Sequence, residues 1–439
     1  MPTSRVVRVF AAVLTLGILG SAAVFAAPRR PGPQPILPGI YKLAGTDPGL
    51  PSGDLDPLRK LIGKASVVGL GESIHTSGGF YQMKHRVFRH LVEKAGFRVL
   101  AIESPWLPAQ RAAQFVESCD GSADQASEAF LDVWQSEELR DLLQWMCDWN
   151  RAHPKEKDRL HILGFDVQDF DGQAHFGGWN LINFLARLGI TLPAQPANGI
   201  LVCARVEETS PRAAPIPDAT HAECTQSLDA LDQLFNTPAS AADIVRQTSA
   251  TDLAWARINL RSMRAWEDAI YYVGRDRKLS FEARDKGMAD AFLAFRNLLY
   301  PKAKMVIWAA NVHVARNWDA ATGELSMGTH LGRRLKRDYV PIALAGYDVG
   351  VDWGPLDPAL CGVKAFHGED SVEARLHDLG QEILFADLKF PGARPPFLRA
   401  GAAYQMGDDA LVPRTHFDAL LYLDQPAAMA PLAWQPCRR

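Results

Sequence analysis

The chain lacks the short motifs that announce the commonest hydrolases. Past residue 27 it has no G-x-S-x-G elbow, and nowhere an H-E-x-x-H or a C-x-x-C. The first absence argues against a serine nucleophile on a strand-to-helix turn. The second and third argue against a zincin site and a cysteine zinc knuckle. Basic residues are not in excess either: 47 Lys and Arg face 50 Asp and Glu. A nucleic-acid partner, which needs a basic face, is therefore not expected.

Long apolar runs are scarce, and the conspicuous one is at the start. Arg5 and Arg8 precede FAAVLTLGILGSAAVFAA, and small residues lead into Pro28. This is the pattern of a secretory signal peptide, expected over residues 1–26. Those residues carry two arginines and no acid, so removing them takes the formal charge from −3 to −5. The mature chain is then expected in the periplasm or secreted, with no membrane span. Six cysteines, an even number, permit disulfides in an exported chain. Cys203 and Cys224 flank a Pro-rich stretch and form the best candidate pair, with buried free thiols as the alternative.

Residues 27–40 form a Pro-rich linker. Beyond it, short apolar runs alternate with helical patterns. Strands are expected at Ser66–Leu70, Arg98–Ile102, Leu160–Phe165, Lys304–Ala309, Val340–Ala345, Glu382–Phe385 and Ala419–Leu423. In the first helix Phe80, Met83, Val87, Leu91 and Ala95 recur at helical spacing. Further helices are expected near 108–118, 136–151, 174–188, 225–236, 252–273 and 282–299. The alternation predicts an α/β fold with a largely parallel sheet flanked by helices. Residues 41–425 make the catalytic domain, in which 205–300 form a mostly helical lobe walling a cleft. Residues 205–220 read as an exposed loop and 426–439 as a C-terminal tail.

Four of the strands run into polar side chains: Glu72 and His75, Glu103, Asp166, and Asn311 with His313. Ligands of open α/β sheets bind at the carboxyl ends of strands, so four such ends predict one pocket. The loop G69-L-G71-E-S partly matches a dinucleotide fingerprint. It lacks the third glycine, and Glu72 would repel a pyrophosphate. His75, His313, Glu72 and Glu103 could instead form a scattered metal site. Lys84 lies off the apolar stripe of its helix, where a solvated surface position is the plain alternative to a functional one. His85, His90, His153 and His161 read as surface or satisfied histidines. Trp106, Trp134, Trp145 and Trp149 read as packing residues.

These residues resemble a known family. The Gly-Glu-x-x-His turn, its helix and the Gly96-Phe97 strand ending in Glu103 are similar to the erythromycin esterases. So are Arg284, Asp285, Met288 and Ala289 at a helix start, and Trp308 to His313 at a strand end. The resemblance spans roughly residues 40–425. It implies an α/β fold with helical additions, and hydrolysis of a macrocyclic lactone by activated water without a covalent serine intermediate. It implies His75 as general base, Glu72 and Glu103 as acids and His313 as second histidine. Lys84 stands where the family carries arginine; lysine keeps the charge but loses the planar fork, and Lys84→Arg is expected to be tolerated. Ala310 stands where the family usually has histidine.

The reading is thus an exported hydrolase of a small ester or lactone, with a macrolide, in the family's manner, among the candidate substrates, needing no cofactor. His75, Glu72, Glu103, His313 and Lys84 are the expected catalytic set, with Lys84 or His313 facing an oxyanion. Tyr81, Asp166, Arg284 and Asn311 are expected to contact substrate. His75 is expected to titrate near neutrality, balanced between a helix N-terminus and two glutamates. The alternatives are a metal-dependent hydrolase and a periplasmic ligand- or haem-binding protein, the latter offering Tyr81 and Met83.

Overall fold

A computed structural model describes residues 33–168, 176–190, 199–200, 203, 216–400, 403–404 and 410–437. The expected signal peptide, the start of the expected Pro-rich linker and most of the 205–220 loop lie outside the described residues. The strands are β1 (Ile40–Lys42), β2 (Val67–Leu70), β3 (Phe97–Pro105), β4 (His161–Asp166), β5 (Lys304–Trp308), β6 (Tyr339–Gly346), β7 (Asp348–Asp352), β8 (Cys361–Ala365), β9 (Ile383–Asp387), β10 (Ala403–Tyr404), β11 (Ala410–Leu411) and β12 (Ala419–Leu423). Eight of them form one sheet in the order β1-β9-β12-β6-β2-β5-β3-β4. The run from β12 to β4 is parallel throughout. β9 is antiparallel to β12 and to β1.

All seven expected strands are present in this sheet. β2 is buried along its whole length, as a central parallel strand covered on both faces must be. One core layer joins that sheet to the helices Gly78–Ala95, Gln110–Ser118 and Glu137–Ala152. The other joins it to Arg277–Leu298 and Met327–Leu335. The helices Asp218–Asn236, Pro238–Gln247 and Ala250–Tyr272 build the lobe around their own apolar cluster. Sequence reading missed β1, the β7–β8 hairpin and the β10–β11 pair, which are short or polar.

Register sets where the site falls. Leu70 pairs with Trp308, Trp308 with Ile102, and Ile102 with Gly164. Glu103 follows Ile102 directly, and Glu72 and Asp166 come two residues after Leu70 and Gly164, so all three carboxylates emerge at the carboxyl end of the sheet. At Gly71 a Cβ would collide with Asn311 Oδ1. Asn311 donates from its backbone N–H to Glu72 O (2.7 Å) and from its amide to Leu344 O (2.8 Å). It therefore ties the ends of β2, β5 and β6 together.

The Gly78–Ala95 helix starts after Ser77 and stops at Gly96, which takes the left-handed conformation (φ +74°) that ends many helices. Phe80, Met83, Val87 and Leu91 are fully buried, as their spacing predicts. The opposite face is covered too, so Lys84, His85, Arg86 and His90 are buried. Residues 426–429, read from sequence as part of a tail, lie on the start of this helix at Gly78 and Gly79. All six cysteines are paired: Cys119–Cys147, Cys203–Cys224 and Cys361–Cys437.

Candidate active site

Two groups of charged side chains meet above the carboxyl ends of β2 to β5. In the first, His75 Nδ1 is 2.8 Å from Glu72 Oε1. Glu72 is fully buried and His75 keeps a fifth of its side chain exposed. A carboxylate at Nδ1 fixes the proton there and leaves Nε2 as the outer, basic nitrogen. Burial lowers the imidazole pKa; Glu103 and Asp166 oppose this, while His313 and Arg284 add to it. Burial therefore wins, and His75 sits below the ordinary histidine value rather than balanced at it. The ring packs edge-on against Trp134 at 4.6 Å. Trp134 donates from Nε1 to Glu103 O (2.6 Å), linking the first group to the second.

Lys84 is not at the surface. Its Nζ touches Glu72 Oε2, donates to Ala309 O (3.0 Å) and lies 4.9 Å from the Trp308 ring. Burial pulls its pKa well down, with Glu103 opposing. The pair is neutral overall whether written Lys⁺–Glu⁻ or Lys–GluH. Lys84 thus holds the far oxygen of Glu72 while His75 takes the near one. It stands behind the acid, fully buried.

The second group centres on Arg284, from the Arg277–Leu298 helix. Its Nη2 bonds Glu103 Oε1 (2.8 Å) and Asp166 Oδ2 (2.7 Å), and its Nε reaches Asp166 Oδ1 (3.2 Å). Glu103 Oε2 accepts from the Ala310 N–H (2.9 Å). The residue that replaces the expected family histidine therefore serves through its backbone. His313 lies between Asp285 (Nδ1 to Oδ1, 2.9 Å) and Glu103 (Nε2 to Oε1, 3.2 Å). Burial disfavours its imidazolium, but Asp285 and Glu103 outweigh that and push it up to about 10. The two carboxylates thus favour the protonated ring, against the neighbouring Arg284, and leave His313 poorly suited to act as a base. Burial likewise resists ionisation of Glu103. His313, His75 and Arg284 overcome it and hold Glu103 well below the usual carboxylate range.

Sequence reasoning placed most of these residues together and missed others. Asp285 was visible only as the neighbour of Arg284, and nothing in the sequence paired it with His313. Tyr81 and Asn311, expected to contact substrate, are fully buried and spend their polar atoms on backbone. Tyr81 is fully buried, and its hydroxyl donates to Val133 O (2.7 Å) and accepts from the Thr76 N–H (2.7 Å). Asn311 is fully buried among strand ends. Met83 is buried in the core, so the Tyr81–Met83 pair presents no open groove to a haem. Among the described residues, the only three His, Cys, Asp or Glu ligand atoms within 4.8 Å of one another belong to Asp352, Cys361 and Cys437. His75, His313, Glu72 and Glu103 do not form such a cluster.

The sequence model of the family described as "Erythromycin esterase" matches residues 92–425. That span includes Glu103, Asp166, Arg284 and His313, and begins after Glu72, His75 and Lys84. The chain is 22% identical over 311 residues to an Escherichia coli protein named "Erythromycin esterase type II", covering 67% of this chain and 72% of that one. It is 23% identical over 312 residues to "Putative hydrolase YbfO" of Bacillus subtilis, covering 67% and 68%. Among solved structures, a Bacillus cereus protein superposes with a TM-score of 0.72 at 20% identity, over 90% of this chain and 96% of that one. An erythromycin esterase mutant, EreC in its open conformation, superposes at 0.67 and 17% identity, over 88% and 97%.

Proposed function

Since this chain belongs to the erythromycin esterase family, we propose that it hydrolyses a carboxylic ester or lactone with a water molecule activated by His75. The observation that carries the reading is the Glu72–His75 hydrogen bond beside Arg284, which Glu103 and Asp166 hold in place. A neutral imidazole whose Nδ1–H is held by a carboxylate takes a proton from water at Nε2. Glu72 then stabilises the imidazolium that forms. The carbonyl oxygen gains negative charge as hydroxide adds. Arg284 is the cation with an open flank, being about a fifth exposed, and is the oxyanion partner. His75 returns the proton to the departing alkoxide. Glu103 and Asp166 keep Arg284 in place, and His313 keeps Glu103 ionised.

The substrate is a small ester or lactone, and a macrolide lactone is the class the family name points to. Export of the mature chain is part of the proposal. Its support is the paired state of every cysteine and the apolar N-terminus. The test is mass spectrometry of erythromycin incubated with purified protein, beside a simple ester such as p-nitrophenyl butyrate. Gain of one water by the macrolide supports lactone hydrolysis. Cleavage of the simple ester alone supports the mechanism and removes the macrolide. Cleavage of neither overturns the reading.

A further inference from the structure

Thr76, the residue after His75, has φ +66°. A β-branched residue in this left-handed region is strained and persists only where its surroundings impose it. Thr76 is fully buried, and three separate segments hold it. Its N–H donates to Tyr81 Oη (2.7 Å), its hydroxyl accepts from the Asp352 N–H (3.1 Å), and its carbonyl accepts from the Met429 N–H (2.9 Å). Two of the three donors and acceptors thus come from β7 and from the last residues of the chain.

Those last residues are fastened down. Asp352 accepts from Trp434 Nε1 (2.9 Å) and from the Cys437 N–H (2.8 Å). Cys361, opposite Asp352 in the β7–β8 register, is bonded to Cys437. Nearer the turn, the Gly79 N–H donates to Ala427 O (3.1 Å) and the Gly350 N–H to Pro426 O (2.8 Å). A Cβ at Gly79 would come within 2.6 Å of Pro426 Cβ, so the helix start is glycine because this segment lies on it. Trp353, adjacent to Asp352, lies 6.1 Å from the His75 ring.

We propose that residues 426–437, closed onto the β7–β8 hairpin by the Cys361–Cys437 bond, form a strap that holds Thr76 left-handed and so aims His75. Thr76 and Asp352 are positioning residues in this account, and His75 is the group they position. The inference rests on the reading of His75 as the base. It makes turnover depend on the disulfide. Reduction by dithiothreitol breaks the S–S bond, gives each protein sulfur one proton and converts the reagent to its cyclic disulfide. Thr76 is then free to leave φ > 0, and His75 turns with it.

The test uses the full mature chain with Cys361→Ser/Cys437→Ser, with Thr76→Val as a second variant. Valine keeps the β-branched shape and removes only the acceptor for Asp352. Turnover of p-nitrophenyl butyrate is measured together with the ¹³Cε1 titration of His75, assigned by its loss in His75→Asn. For the double variant kcat falls by about 10- to 100-fold with KM nearly unchanged, the size expected for a displaced catalytic group. The His75 titration moves up toward the ordinary value of about 6.5 as water reaches the ring. Thr76→Val lowers kcat by about fivefold, the factor for one hydrogen bond. A disulfide that only stabilises the fold would lower the unfolding midpoint and move neither kcat nor the titration in folded protein. That result overturns the strap. If the parent cleaves no ester yet the titration still shifts, the strap stands and the hydrolase reading falls.

Discussion

Lys84→Met removes the buried amino group paired with Glu72 and keeps most of the side-chain volume. It leaves the Glu72 carboxylate inside the protein with His75 as its remaining side-chain partner. Both Lys84 and Glu72 are fully buried, so no water replaces the lost contact. Breaking a buried pair by removing one member costs about 3–5 kcal/mol, mostly the desolvation of the charge left behind. Glu72 then resists ionisation, and its hold on His75 Nδ1 weakens. Urea unfolding followed by tryptophan fluorescence measures the loss. A double variant, Lys84→Met/Glu72→Gln, separates the ion pair from simple packing. Glutamine has no charge to desolvate and its carbonyl still accepts from the imidazole. The double variant is therefore more stable than Lys84→Met alone by more than about 1 kcal/mol, a positive coupling of the kind contacting residues show. Lys84→Arg keeps the charge but forces extra volume against Trp308 and Ala309, with a loss of about 1–3 kcal/mol. The tolerance suggested by family likeness is replaced by this cost. A loss for Lys84→Met within about 0.5 kcal/mol, the surface value, would refute the buried-pair reasoning.

Stability peaks near neutral pH and falls on both sides. Burial holds His85 down to about 3 and His90 to about 4. The unfolded chain therefore binds protons below about 6.5 that the folded chain refuses, and stability drops as pH falls from there. His313 has the opposite sign. Its contribution is complete below about 6.5 and is lost as pH rises through about 10. Urea midpoints between pH 4 and 10 check both limbs, and His313→Gln flattens the alkaline one. Dialysis against EDTA leaves turnover intact; loss that a specific divalent ion restores would recast His75, His313, Glu72 and Glu103 as ligands. Intact mass of secreted protein begins near residue 27; retention of Met1 would contradict export.

The sheet was readable because its strands are continuous apolar runs of Val, Ile and Leu bounded by turns. The convergence of Glu72, Glu103, Asp166 and His313 followed from strand ends alone. Burial of Lys84 did not. The apolar stripe marks only one face of its helix. The other face is covered by Trp134 and Trp145, about fifty to sixty positions on, and by Trp308 and Ala309, more than two hundred positions away. Periodicity reports local pattern and cannot report such cover. Tyr81 and Asn311 misled for a related reason. Each lies close in sequence to a charged residue of the site, yet each spends its polar atoms on backbone of other segments. Thr76 and Asp352 carried no local signal, since strain at one residue and its three holders are set by tertiary contact.

The central claim is that neutral His75 takes a proton from water. Its direct test compares His75→Asn with His85→Asn on an ester that the parent cleaves, with circular dichroism confirming both folds. Asparagine can still reach Glu72 but cannot accept a proton, so loss of the general base lowers kcat by about 10²- to 10⁴-fold. His85 packs on Trp145 at 5.4 Å, away from Glu72, and its replacement leaves kcat within a few-fold. The acid limb of the parent's kcat/KM falls with a midpoint below the ordinary histidine value of about 6.5, because burial depresses the His75 pKa. Folded His75→Asn with the parent's turnover would contradict the account.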